Sequence, residues 1–143
     1  YKIPPTLVLN TNEEMKLMKE EIFGPVLPIK SYENVEESVN YVNNKDRPLG
    51  LYYFGDNKEE QEYILKNTTS GGVTINDVIS HVTQEDLPFG GVGPSGMGSY
   101  HGFDGFKEFS HAKSIYKQTK INLNKLAGLV PPYKSNTKEK SVT

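Results

Sequence analysis

Gly50-Leu51-Tyr52-Tyr53-Phe54, a helical run from Asp56 to about Leu65, and Gly71-Gly72-Val73-Thr74-Ile75-Asn76 decide how this 143-residue chain folds. The two outer stretches are short, rich in Tyr, Leu and β-branched residues, and edged by Gly or turn residues, as strands are. Between them, Asp56 with Glu59 has the spacing of a capped helix start. Strand, helix, strand in that order predicts a crossover between two parallel strands.

The residues before Gly50 repeat the alternation. Pro5–Leu9 reads as a strand. Thr11-Asn12-Glu13-Glu14 has capping-box spacing, and Met15, Met18 and Ile22 then share one helical face. Val26–Ile29 reads as a second strand. Asn34 with Glu37 predicts a capped helix carrying Val35, Val39 and Val42 on one face and ending at Asn43-Asn44. The fold class expected is α/β, a parallel buried sheet with flanking helices.

After Asn76 the pattern changes. Residues 77–102 are Gly-rich and without hydrophobic period; a loop that long inside a compact domain is usually functional or disordered, and Phe89, Met97, Tyr100 and His101 argue against a plain flexible linker. Gly105–Ser110 predicts a short helix and Ala112–Lys117 a last strand. From Gln118 the chain is polar, and Pro131-Pro132 closes off any helix. The expected divisions are a sheet-and-helix part over 1–79, a loop and short helix over 80–111, the strand 112–117 and a basic flexible tail over 118–143.

Composition narrows the function classes. Zero Cys excludes a disulfide framework and a thiolate metal site, and no metal ligand set is expected. No run approaches the roughly 20 apolar residues of a membrane span, and no leader pattern is visible, so a cytoplasmic setting is expected. Hydrophobic residues make up 35% of the chain, a low share for a self-sufficient domain. With Tyr1 rather than Met at the start, this raises the expectation of further chain upstream. Seven Lys against one Glu leave +6 on residues 112–143 and −8 on the rest. That tail reads as a solvated terminus; no aromatic–basic interleaving points to nucleic acid, and a membrane partner is not favoured.

Two motifs carry chemistry. Gly91-Val92-Gly93-Pro94-Ser95-Gly96 fits G-x-G-x-x-G, but Leu87-Pro88-Phe89 precedes it and no clear helix follows. The context a dinucleotide cradle requires is therefore missing, and the glycines read as conformational. Glu20-Glu21-Ile22-Phe23-Gly24-Pro25 places two acids at an expected helix end, where the macrodipole disfavours them, which suggests another use for one carboxylate. Asn76 ends a strand, where open α/β sheets place ligand sites and where Asn also caps turns. His101, in Ser99-Tyr100-His101-Gly102, has a side chain suited to proton relay but no visible partner, so a structural role is favoured.

Glu20–Pro25 and Leu87–Gly98, in this order, resemble the C-terminal third of an NAD(P)-dependent aldehyde dehydrogenase. The likeness covers roughly residues 3–117, including Pro4-Pro5-Thr6, Ile75-Asn76 and His111-Ala112-Lys113-Ser114-Ile115, and its wording is most similar to the class 3 branch, which acts on aromatic, fatty and other hydrophobic aldehydes. The resemblance implies that Glu21 accepts the ribose hydroxyls of NAD or NADP and that Phe23 is an apolar wall near the nicotinamide. It implies Phe89 as a wall of the substrate pocket, compatible with simple packing under the loop, with Asn76 and His101 near the same pocket. It implies that strand 112–117 pairs with a neighbouring subunit, giving a homo-oligomer such as a dimer.

In such enzymes a cysteine thiolate attacks the aldehyde, hydride passes to NAD(P)+, and a thioester is hydrolysed. The thiolate, its base and the main dinucleotide unit lie upstream, so no catalytic residue is assigned here and the isolated chain is expected to be inactive. The expected partner is the N-terminal remainder of the enzyme. The alternative is a catalytically inactive association module that retains the sheet and the dimerising strand.

Overall fold

The computed structural model describes residues 2–133. Among them are strands β1 (Thr6–Val8), β2 (Val26–Pro28), β3 (Gly50–Tyr53) and β4 (Gly72–Ile75), and helices α1 (Val35–Asn43), α2 (Lys58–Asn67), α3 (Gly102–Glu108) and α4 (Leu123–Leu126). The chain divides into two compact units, 1–110 and 111–143, so the Gly-rich segment belongs to the unit that holds the strands.

The strands pair in parallel, β3 and β4 across the crossover helix α2 and β1 and β2 across a longer connection. β1 lies beside β2 with Thr6 opposite Val26, and β3 beside β4 with Gly50 opposite Gly72 and Tyr53 opposite Ile75. They form two separate two-stranded sheets rather than the single sheet expected. No described backbone ladder joins β1 or β2 to β3 or β4.

α1 forms where the sequence predicts. Asn34 accepts the Glu37 N–H at 2.9 Å, and the Glu37 carboxylate accepts the Glu33 N–H at 3.0 Å. These bonds satisfy donors that a helix start leaves open. Among the described residues, Val39 from α1 and Ile64 from α2 are the buried apolar residues, 4% and 8% exposed. Burying side chains of this size stabilises by about 1.5–3 kcal/mol each. α2 starts one residue later than read: Asn57, not Asp56, accepts from Glu59 N–H at 3.0 Å and Glu60 N–H at 3.4 Å.

One expected helix does not form, and one expected strand has no ladder partner among the described residues. In place of a helix from Thr11 to Ile22 there is a 3-10 turn, Lys16–Met18. The Asn12 side chain accepts the Glu14 N–H at 3.0 Å and its carbonyl accepts the Met15 N–H at 3.2 Å. This local turn competes with helix initiation. Glu20 and Glu21 therefore do not end a helix, and the dipole argument for them falls. Residues 112–117 are in no strand, because a strand is defined by a ladder partner and none pairs with them among the described residues.

In the second unit, α4 interrupts the stretch expected to be flexible; Asn122 caps it by accepting the Lys125 N–H at 2.9 Å. The tail's last ten positions, 134–143, lie outside the described residues. Among the described residues no helix is long and apolar enough to cross a membrane.

Candidate functional site

The Gly-rich loop is held as an antiparallel clasp. Phe89 N–H donates to Tyr100 C=O at 2.9 Å and Tyr100 N–H to Phe89 C=O at 3.0 Å, with the two rings edge to face at 5.7 Å. The His101 ring stacks on Phe89 at 6.3 Å and meets Tyr100 edge-on at 4.3 Å. Such aromatic pairs add about 0.5–1.5 kcal/mol beyond their burial. Phe89 is half-buried, and His101 Nδ1 is buried with no bonding partner among the described residues.

The loop tip turns at Gly93 to Gly96, where Gly96 N–H donates to Gly93 C=O at 3.1 Å. Ser95 Oγ accepts the Val92 N–H at 2.9 Å and donates to the Val92 carbonyl at 3.2 Å. The donors face their own loop and no helix opens on them, so the run is a turn and not a phosphate cradle. The loop passes across the start of β4: a Cβ on Gly71 would overlap the Gly90 carbonyl. Glycine at 71 is what lets the two backbones meet.

Asn76 lies at the other end of β4. It adopts φ +57, and its side-chain amide is fully engaged. Oδ1 accepts the Gly55 N–H at 2.7 Å, and Nδ2 donates to the Gly55 carbonyl at 3.2 Å and to Asp56 at 3.4 Å. It thus ties the ends of two neighbouring parallel strands together.

Glu21 and Phe23 lie in the β1–β2 connection. Both are exposed, Phe23 at 94%. Neither has a described hydrogen bond, ion pair or ring contact with Phe89, Asn76 or His101. The structure therefore brings Phe89 and His101 together, sets Asn76 apart on a strand end, and presents Glu21 and Phe23 to solvent.

The electrostatic centre of the first unit is elsewhere. Glu13 pairs with Lys45 and with Lys30, the latter at 3.0 Å, and both ammonium groups lie over the Tyr41 ring. The hydrogen bond from Lys45, then that from Lys30, lowers the Glu13 carboxyl to a pKa of about 2. The same contact raises Lys45 above its ordinary value. Among the described residues no three His, Asp or Glu side chains group to hold a metal.

The sequence reading passed over His81, although it lies in the Gly-rich segment. It is 8% exposed and bonds through Nδ1 to Thr74 Oγ1 at 2.7 Å. Its ring lies 6.0 Å from both Tyr52 and Phe89. The sequence around it carries no burial signal: the apolar neighbours Val78 and Ile79 are themselves 48% and 55% exposed.

Comparison with known proteins fits this arrangement to one family. The model of the aldehyde dehydrogenase family matches residues 1–115. A probable coniferyl aldehyde dehydrogenase of Caulobacter vibrioides is 61% identical over 92% of the chain, and aldehyde dehydrogenase family 3 member A2 of Rattus norvegicus is 51% identical over 78%. The chain spans 27% and 23% of those two proteins. Substrate-bound AldH of Staphylococcus aureus superposes with a TM-score of 0.78 at 38% identity, over 98% of this chain and 30% of that one. The resemblance drawn from Glu20–Pro25 and Leu87–Gly98 is thereby upheld, class 3 relatives included. With four-fifths of its length matched by the family model, the chain belongs to the aldehyde dehydrogenase family.

Proposed function

We propose that this chain is the C-terminal part of an NAD(P)-dependent aldehyde dehydrogenase oxidising a hydrophobic aldehyde to a carboxylic acid. The observation that carries the proposal is the clasp that holds Phe89 against Tyr100 and His101. A half-buried phenyl ring, fixed by two backbone bonds and two aromatic neighbours, is a preorganised wall for an apolar substrate. The similarity to a protein named for coniferyl aldehyde supports an aromatic or otherwise bulky substrate.

The dinucleotide accepts hydride in such a reaction. This chain's part is to bind and orient. Glu21 has a carboxylate free to accept two ribose hydroxyls, and Phe23, 94% exposed beside it, offers an apolar face for the nicotinamide side. The fit is chemical: an acceptor-only group for vicinal hydroxyls, with an uncovered ring two residues on. His101 and Asn76 stand as further pocket residues, Asn76 acting through the strand ends it ties. The remaining partners are the upstream catalytic part and, through 112–117, a second subunit.

A second reading has its own support. Phe103, Phe106 and Phe109 of α3 and its C-cap are 70%, 67% and 89% exposed, a face suited to association without catalysis. NAD(P)-dependent aldehyde oxidation by the complete protein separates the two readings, and Glu21→Gln then tests the cofactor contact. Loss of a charged hydrogen-bond acceptor is worth about 1.5–3 kcal/mol, so NAD(P) affinity should fall about tenfold or more, with slower hydride transfer. Unchanged cofactor affinity and kinetics would remove Glu21 from the site; no aldehyde oxidation by the complete protein would favour the association module.

A further inference from the structure

Thr74 and His81 are polar residues in the core, 9% and 8% exposed. They bond to each other: Nδ1 of His81 lies 2.7 Å from Thr74 Oγ1, and the His81 backbone N–H donates to the same oxygen at 3.4 Å. His81 Nε2 is buried and has no bonding partner among the described residues. A buried nitrogen without a partner carries a desolvation cost that an apolar ring of like size would avoid. The imidazole therefore needs a reason to be there.

Its surroundings supply one. β4 begins with Gly72, where a Cβ would overlap the ring and lie 2.8 Å from Nε2; glycine there is the floor on which the imidazole rests. Tyr52 of β3 borders it at 6.0 Å. Phe89 borders it on the loop side, also at 6.0 Å with the planes tilted by 53°. One ring thus touches β3, β4 and the clasped loop. The Thr74 bond fixes its rotation, which an apolar ring at this position would leave free.

We propose that His81 is a positioning residue for Phe89: anchored on Thr74 and seated on Gly72, its imidazole sets where the Phe89 ring stands and so how wide the aldehyde pocket is. The consequence for substrate rests on the reading of Phe89 as a pocket wall. The consequence for Phe89 itself does not. His81 touches no reacting atom in this scheme, so it tunes substrate fit and leaves the chemical step alone.

The test uses the complete enzyme with a bulky aromatic aldehyde and with acetaldehyde. His81→Ala should raise KM for the bulky aldehyde about tenfold, the scale of one methylene of misfit in an apolar pocket. The kcat should stay within about twofold, and KM for acetaldehyde and for NAD(P) should not move. Gly72→Ala, which displaces the ring, should reproduce that split, and the double variant should be no worse than either single. His81→Asn keeps a bonding group near the Nδ1 position and should recover part of the loss; it decides the matter if His81→Ala does not fold.

The second readout is the NMR spectrum of 13C-labelled Phe, in which Phe89 should shift in His81→Ala and Gly72→Ala. If Phe89→Ala raises the bulky-aldehyde KM while the His81 and Gly72 variants move neither KM nor the Phe89 resonance, the positioning role is overturned. If Phe89→Ala leaves both aldehydes unchanged, the pocket-wall reading falls, and the Phe89 resonance alone decides: displacement supports the positioning role and a fixed resonance overturns it.

Discussion

Asn76 allows the backbone and side-chain contributions of one residue to be separated. It sits at φ +57, a region that costs a residue bearing a Cβ about 1–2 kcal/mol and that glycine and Asn tolerate. Its amide makes bonds of 2.7 and 3.2 Å to the Gly55 backbone, with a longer one of 3.4 Å to Asp56. Each of the two shorter bonds is worth about 0.5–1.5 kcal/mol net, nearer the low end because the group is exposed. Asn76→Gly removes the bonds but relieves the backbone, and should cost about 1–2 kcal/mol. Asn76→Ala removes the bonds and adds the conformational cost, for a total of about 2–4 kcal/mol. Asn76→Asp keeps an acceptor for the Gly55 N–H but turns an acceptor toward the Gly55 carbonyl and the Asp56 carboxylate; it should be no better than Asn76→Gly. Urea unfolding followed by circular dichroism gives the order directly, since a shift in midpoint at constant slope is a change in stability. If Asn76→Ala proves as stable as Asn76→Gly, the strained backbone plays no part. If all three match the parent chain, the tie between the strand ends is not holding them.

Glu13 predicts an acid-sensitive contribution. Its folded pKa of about 2 lies below the ordinary 4.5, so the stability it supplies is complete above 4.5 and is lost as pH falls toward 2. Glu13→Gln should flatten the dependence of the urea midpoint on pH across that window, and should also remove the contribution from Lys45 that is lost above pH 10.5. Added salt should shrink both effects, the groups being exposed; an unchanged acid profile would mean that the two lysines do not hold the carboxylate. For α2, Asn57→Ala should cost about 1 kcal/mol and Asp56→Ala much less, because the Glu59 and Glu60 N–H groups bond Asn57. The reverse order in the same unfolding assay would return the cap to Asp56.

Elements that local chemistry decides were legible in the sequence. The Asn34 and Glu37 pair gives α1 its start, Val35, Val39 and Val42 give it an inner face, and glycine-edged runs give β3 and β4. The 3-10 turn was misread because Asn12 and Thr11 both suit a cap, and only the fold shows that Asn12 bonds two residues ahead and turns the chain. The split into two sheets was not readable, since parallel pairing is settled by partners far along the chain. The strand over 112–117 was inferred from a pattern that says what a segment can pair as and not what is there to pair with it. Phe89 and His101 were singled out by motif, and their ring contact follows from the Phe89–Tyr100 bridge. His81 escaped because nothing in its neighbours signals a partner at Thr74, seven residues back across a turn.

The division between what a motif reveals and what packing reveals has a physical basis. Glu21 and Phe23, the most informative residues for family and chemistry, contribute least to this chain's own folding: the phenyl ring is 94% exposed and the carboxylate has no described partner. A residue kept for a ligand or a neighbouring surface must leave its functional face unsatisfied within its own unit. His81 is the opposite case, buried and bonded at the meeting point of β3, β4 and the loop, with no motif around it. Groups proposed to touch cofactor or substrate are therefore found from sequence wording, and the group proposed to hold one of them is found only from geometry. Phe89 is where the two meet. Its motif marks it, and His81, Tyr100 and His101 fix its place, so a change in its surroundings should alter substrate fit before it alters the chemistry.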